Sequence, residues 1–284
     1  FSLAASREEI ANPFANEWTK TAAYATLPLF DGESLEGTLA LTLKKTGKIS
    51  AKWSNGGKTL ASFSGAWNKG IAINGTATAS LSKKTYSLSL EIGPDGWISA
   101  VAADGVRTLS SGLCGISTDY SGFAGRYTAI LQRDNGASAA MTLYSSGSSA
   151  KKNGKFSYVL YLPDGKKLSG TTGITWYDAN FGILPIAKSN SNERFSAALL
   201  VRRNAASAST PRAIIAADGV EASWSSAYSG DTASFSVFGS YHDANADITD
   251  GIEGETVGFC IPSGVETEAY GVITNAPGDG ARIA

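Results

Sequence analysis

Apolar and polar residues alternate with a period of two along most of the chain. Leu39, Leu41 and Leu43 alternate with Thr38, Ala40, Thr42 and Lys44, and Tyr86, Leu88, Leu90 and Ile92 alternate with Ser87, Ser89 and Glu91. Successive side chains of a strand point to opposite faces, so this pattern predicts half-buried strands. Turn signals separate the runs: Asn55-Gly56, Asn74-Gly75, Gly93-Pro94-Asp95-Gly96, Asp134-Asn135-Gly136 and Pro163-Asp164-Gly165. Asn-Gly accommodates positive φ at both central positions and is a strong hairpin signal. Short strands at this spacing, joined by glycine-containing turns, predict an antiparallel barrel or sandwich.

The pattern also repeats. The stretch Gly47–Gly65 returns as Gly154–Gly170, with Phe156, Tyr158 and Leu160 in the places of Ile49, Ala51 and Trp53. Trp176 takes the place of Trp67, and Ala102-Ala103-Asp104-Gly105-Val106 recurs letter for letter at residues 216–220. Ordered matches of this kind signal an internal repeat. The expected fold is all-β, with two tandem duplicated antiparallel β-barrel or β-sandwich modules over residues 23–123 and 124–238, joined by 110–124. Residues 145–152 read as a polar surface loop inserted in the second module. Residues 1–22 read as a linker or short helical segment, because Ser6-Arg7-Glu8-Glu9 has capping-box spacing ahead of Pro13. Gly239-Ser240-Tyr241 repeats the opening Gly125-Arg126-Tyr127, so residues 239–284 read as a C-terminal segment packing on the second module.

Composition narrows the function. The 284 residues carry a net charge of -1 with acids and bases intermixed, which argues against nucleic-acid binding. No apolar run reaches membrane-spanning length. The chain begins at Phe1, which points to a mature product or a piece of a longer protein. Its two cysteines, Cys114 and Cys260, read as one disulfide or two buried thiols, and with His242 alone they are too few for an ordinary zinc site.

Gly125 with Tyr127, Gly154 with Phe156, Asp164-Gly165, Ser169-Gly170 and Trp176 form a recurring set. On these residues, residues 23–240 resemble the tandem G-x-Y β modules at the C-termini of large secreted or surface proteins of bacteria. The resemblance implies a secreted or cell-surface location and a β module, and implies no catalytic residue.

Four sets of residues could carry chemistry. Asp243, Asn245, Asp247 and Asp250 have the D-x-N-x-D spacing that suits calcium. The sixth loop position is Ile248 and the twelfth is Gly254, so this is no EF-hand, and a solvated acidic loop accounts for the same residues. His242 with Cys260 would make a nucleophile and base, but Cys260 lies in the apolar run Val257–Ile261. Asp104 and Asp218 recur as Asp-Gly-Val, which invites the two-lobed aspartic peptidase logic of paired carboxylates, or else a repeated turn. Aromatic residues are the fourth set. Trp53, Trp67 and Trp176 read as core, while Trp97 after its turn and Trp224 between serines are expected to be exposed, with Tyr144, Tyr177, Tyr228 and Tyr241 as weaker ligand-binding candidates. The reading that follows is a non-catalytic secreted or cell-surface module. It binds carbohydrate or protein, or spaces an upstream catalytic domain of the same chain. The alternatives are a secreted peptidase, of the two-lobed aspartic or Cys-His type, and a structural adhesin unit.

Overall fold

The period of two folds as strands. In the computed structural model, which describes residues 22–67, 70–78, 84–93, 96–133, 138–178, 180–203, 213–216, 222–242, 256–259, 269–276 and 280–283, the chain is all-β and antiparallel. The first run comprises β1 (Ala23–Asp31), β2 (Ser34–Leu43), β3 (Lys48–Asn55), β4 (Lys58–Ala66), β5 (Gly70–Thr78), β6 (Thr85–Ile92), β7 (Trp97–Ala103) and β8 (Thr108–Ser110). Ladders join β1 to β4 in order and β5 to β8 in order, and β4 lies beside β5. Phe30 pairs with Ser110, which returns β8 to β1.

The second run begins after a short strand, β9 (Cys114–Gly115). It comprises β10 (Gly125–Gln132), β11 (Ala139–Ser145), helix α1 (Gly147–Asn153), β12 (Lys155–Tyr161), β13 (Lys167–Gly173), β14 (Thr175–Trp176), β15 (Phe181–Ser189), β16 (Glu193–Arg202), β17 (Ala213–Ala216), β18 (Ala222–Ser226) and β19 (Thr232–His242). Ladders join β10 to β13 in order, β14 to β15 and β15 to β16. Strand β16 pairs with β17 and β18, both of which pair with β19, and β19 returns to β10. The compact unit holding both runs extends through His242. Gly239-Ser240-Tyr241 therefore ends β19 instead of opening a new segment at residue 239. The second unit, from Asp243, contains β20 (Thr256–Phe259), β21 (Ala269–Ala276) and β22 (Gly280–Ile283), paired antiparallel.

Each run encloses a core. In the first, Leu39 faces Trp53, which faces Ala61, while Leu41 faces Ala51, which faces Phe63. Ala51 and Ala61 make room for the larger side chains opposite them, and all six are buried. Burial of each large side chain contributes about 1.5–3 kcal/mol. The second core gathers Tyr127, Met141, Phe156, Leu160, Trp176 and Phe195. One hairpin serves both. Leu184, Ile186, Leu199 and Val201 enter the second core, while Ile183, Ala198 and Leu200 enter the first. Strands β15 and β16 are therefore buried on both faces, which is why they read as continuous apolar runs.

Residues 110–124, expected to be a joint, are largely interior. Cys114, Ile116, Ser117, Tyr120 and Phe123 are buried. Gly115 pairs with Trp97 on β7 and with Trp176 on β14, which ties the two runs together. Tyr24 and Ser117 exchange backbone hydrogen bonds of 2.8 and 3.3 Å, and the Tyr120 hydroxyl donates to the Tyr24 carbonyl. Nor is 145–152 a plain loop. Ser146 caps α1 by accepting from the Ser149 N–H, and Gly154 closes the helix in the left-handed conformation at φ 63°.

Candidate functional site

The main cleft follows from how the second run closes. Pro185 lies in β15 and has no N–H to give to a ladder. On that side the Thr172 hydroxyl donates to the Pro185 carbonyl at 2.6 Å. Beyond this contact β13 and β15 diverge, and no ladder pair joins them among the described residues, although they are neighbours in the wall. A cleft of about 530 Å³ opens there, floored by the outer faces of β1 and β2. Gly173 holds β13 close to that floor: a Cβ at this position would lie 2.1 Å from Thr26 Oγ1. One end of the cleft is bounded by the Asn55-Gly56-Gly57 turn, where the Ser189 N–H donates to the Gly56 carbonyl at 3.1 Å.

The lining mixes hydroxyls, glycines and apolar side chains such as Leu41 and Ile186, and contains no acid. Thr26, Thr38, Thr42 and Thr171 supply hydroxyls, Gly170 and Gly173 expose backbone, and Lys155 and Lys188 supply positive charge. Neither lysine has an ion-pair partner among the described residues. Asn153 Oδ1 lies buried beside the cleft with no hydrogen-bond partner among the described residues. Burial pushes the Tyr158 phenol up to about 12, so it remains a neutral hydroxyl at physiological pH. The cleft therefore offers backbone and hydroxyl hydrogen bonds and two cations, which is equipment for binding.

The residues singled out from sequence are scattered. Trp97 and Trp224, expected to be exposed, are 7% and 3% exposed. Trp97 packs over Gly115. Trp224 donates from Nε1 to the buried carboxylate of Glu193 at 2.7 Å and lines a second pocket together with Glu36 and Arg194. Tyr177 is half-buried against the first core. Tyr241 is half-buried, with its ring 5.5 Å from Tyr127. None of these four residues lines the cleft. Cys114 is buried near the Ser111 carbonyl. Cys260, Asp218, residues 1–21 and the candidate calcium ligands Asp243, Asn245, Asp247 and Asp250 lie outside the described residues, and β19 reaches His242 only as backbone.

Asp104 belongs to a turn. Its Oδ1 accepts from the Val106 and Arg107 N–H groups at 3.0 and 2.8 Å, and its Oδ2 faces Lys84 at 3.2 Å. Burial works to raise its pKa, but the two amides and Lys84 outweigh it and hold the carboxyl at about 2. A carboxylate held ionised in this way cannot be the protonated member of a catalytic pair.

No family model matches the chain, and neither does any curated protein. Among solved structures it is similar to intact Ap-TbpB with its N and C lobes, at 10% identity and a TM-score of 0.16, covering 72% of this chain and 66% of that one. It is similar in the same degree to a mutant of transferrin binding protein B from Haemophilus parasuis, at 10% identity and a TM-score of 0.16, covering 72% of this chain and 65% of that one. The chain thus spans just under two thirds of both proteins, and the likeness is too distant to bear on its ligand. No helix among the described residues is long and apolar enough to cross a membrane.

Proposed function

We propose that this chain is a non-catalytic binding module of a secreted or cell-surface protein, and that it takes an extended segment of a partner polypeptide into the cleft between β13 and β15. The two closed runs are then its two modules, 23–123 and 124–238. The observation that carries the reading is that these two strand edges face one cleft without pairing. Unpaired edges present N–H and C=O groups that an added strand satisfies; on β15 Pro185 offers no N–H and its carbonyl is held by Thr172, so β13 supplies most of them. Lys155, Lys188 and the acid-free lining favour a segment that carries acidic side chains.

Panning random twelve-residue peptides displayed on phage against the immobilised protein tests this. Selected peptides should alternate β-branched and acidic residues. Ala40→Trp and Ala187→Trp, at positions lining the cleft, fill it. Each should weaken the selected peptides about tenfold or more, or about 1.4 kcal/mol, with the melting midpoint unchanged. Peptides that bind both filled variants as tightly as the parent would sink the reading. The same preparation should leave casein uncleaved.

A further inference from the structure

A second site lies on the outer face of the second run, on β10, β11 and β12. Cross-strand register sets Arg126, Tyr144 and Ser157 in one row and Thr128, Thr142 and Val159 in the next. These six residues line a groove of about 420 Å³. The Tyr144 ring is 48% exposed, and the Arg126 guanidinium stands 5.3 Å from its centre. Three hydroxyls, one ring face and one cation thus converge on a shallow groove.

The strands around the groove are basic, although Asp164 and Asp231 lie in the turns at their ends. Strands β10, β11, β12, β13 and β19 contain Arg126, Lys155 and Lys167 and no aspartate or glutamate, and α1 adds Lys151 and Lys152. The chain as a whole carries a net charge of -1, so these strands are more basic than the chain average. A second copy of the chain docked through the same face would set cations against cations. The occupant therefore carries negative charge.

We infer that this groove binds an anionic polysaccharide, with a sugar face on the Tyr144 ring, its hydroxyls on Thr128, Thr142 and Ser157, and its carboxylate or sulfate on Arg126. An aromatic face packs against the C–H face of a sugar, and the planar guanidinium donates to two anionic oxygens at once. The neighbouring lysines extend the attraction along a polymer and make it salt-dependent. The groove is separate from the cleft between β13 and β15, so this inference does not rest on the proposal above.

Titration calorimetry on the full chain tests it with heparin, polygalacturonate, neutral dextran, polyglutamate and phosphatidylglycerol vesicles as probes. Heparin or polygalacturonate should bind at least tenfold tighter than dextran and polyglutamate, and the stronger of the two names sulfate or carboxylate as the anion. Tyr144→Ala keeps every charge and should weaken that polymer about fivefold or more, as should Arg126→Ala, with the melting midpoint unchanged in both. Polyglutamate binding as tightly as the sugars would overturn the inference in favour of charge alone. So would an unaltered affinity in Tyr144→Ala, or binding confined to the vesicles.

Discussion

Gly115 sits tightly between two tryptophans. A Cβ there would lie 2.9 Å from the Trp176 Cβ and 3.3 Å from the Trp97 ring, and both neighbours are buried. Gly115→Ala should cost about 1–3 kcal/mol by overpacking, read as a lower urea midpoint at constant m-value. Glu193 is a second tightly held residue. Its carboxylate is fully buried and accepts from Trp224 Nε1 at 2.7 Å, Ser226 Oγ at 3.0 Å and Lys166 Nζ at 2.6 Å. Glu193→Ala leaves two buried donors without their acceptor, while Lys166 keeps its pair with Asp164 at 2.9 Å, and should cost about 2–4 kcal/mol. Glu193→Gln, which retains one acceptor oxygen, should lose less in the same denaturation experiment. Both residues show why the tryptophans were misread from sequence. The serines beside Trp224 suggested exposure, but neighbours at i±1 face the other side of a strand. Ala222, Trp224 and Ser226 share the inward face, and Ser226 meets Glu193 there.

At the scale of elements, the strands and turns were legible because each carries its own signal. Asn55-Gly56 predicted a hairpin, and Gly56 and Gly57 adopt φ 60° and 84°. The same sequence gives no hint that this turn docks on Ser189, since that contact depends on strands more than a hundred residues away. The hairpin shared by both cores was not read from the sequence, although Ile183, Ala198 and Leu200 break the inward alternation of its strands. Helix α1 is too short for apolar periodicity, so only its caps at Ser146 and Gly154 announce it. Gly154 is left-handed at φ 63°, and a Cβ on it would lie 2.7 Å from the Tyr120 ring. Gly154→Ala should therefore lower the melting midpoint by several degrees, equivalent to about 1–2 kcal/mol, in a thermal scan. The cleft itself left no trace in the sequence, because it arises from where β13 and β15 fail to pair.

Over the whole molecule, one charged network crosses from the first run to the second. Glu36 on β2 accepts from Arg107 and from Arg194 on β16, each at 2.7 Å, and Arg107 also reaches Asp104 at 3.4 Å, where Lys84 joins at 3.2 Å. Burial works to raise the pKa of Glu36, but hydrogen bonds from Arg194 and Arg107 lower it below its ordinary 4.5. Asp104 falls from 3.8 to about 2. Both carboxyls are more acidic when folded, so the stability they contribute is complete above their ordinary values and is lost as pH falls through the folded ones. The arginines and Lys84 are 38–49% exposed, so solvent screens the pairs. The network's share at neutral pH is about 1–2 kcal/mol. The double variant Glu36→Gln with Asp104→Asn should therefore melt below the parent at pH 6. That gap should narrow steadily between about pH 4.5 and pH 2, where the parent's own carboxyls take up protons. Because the network joins β2 to β16, the variant should also exchange the amides at the contact between the two runs faster than those inside either core, and a gap that stayed constant down to pH 2 would show that these carboxylates contribute nothing through their charge.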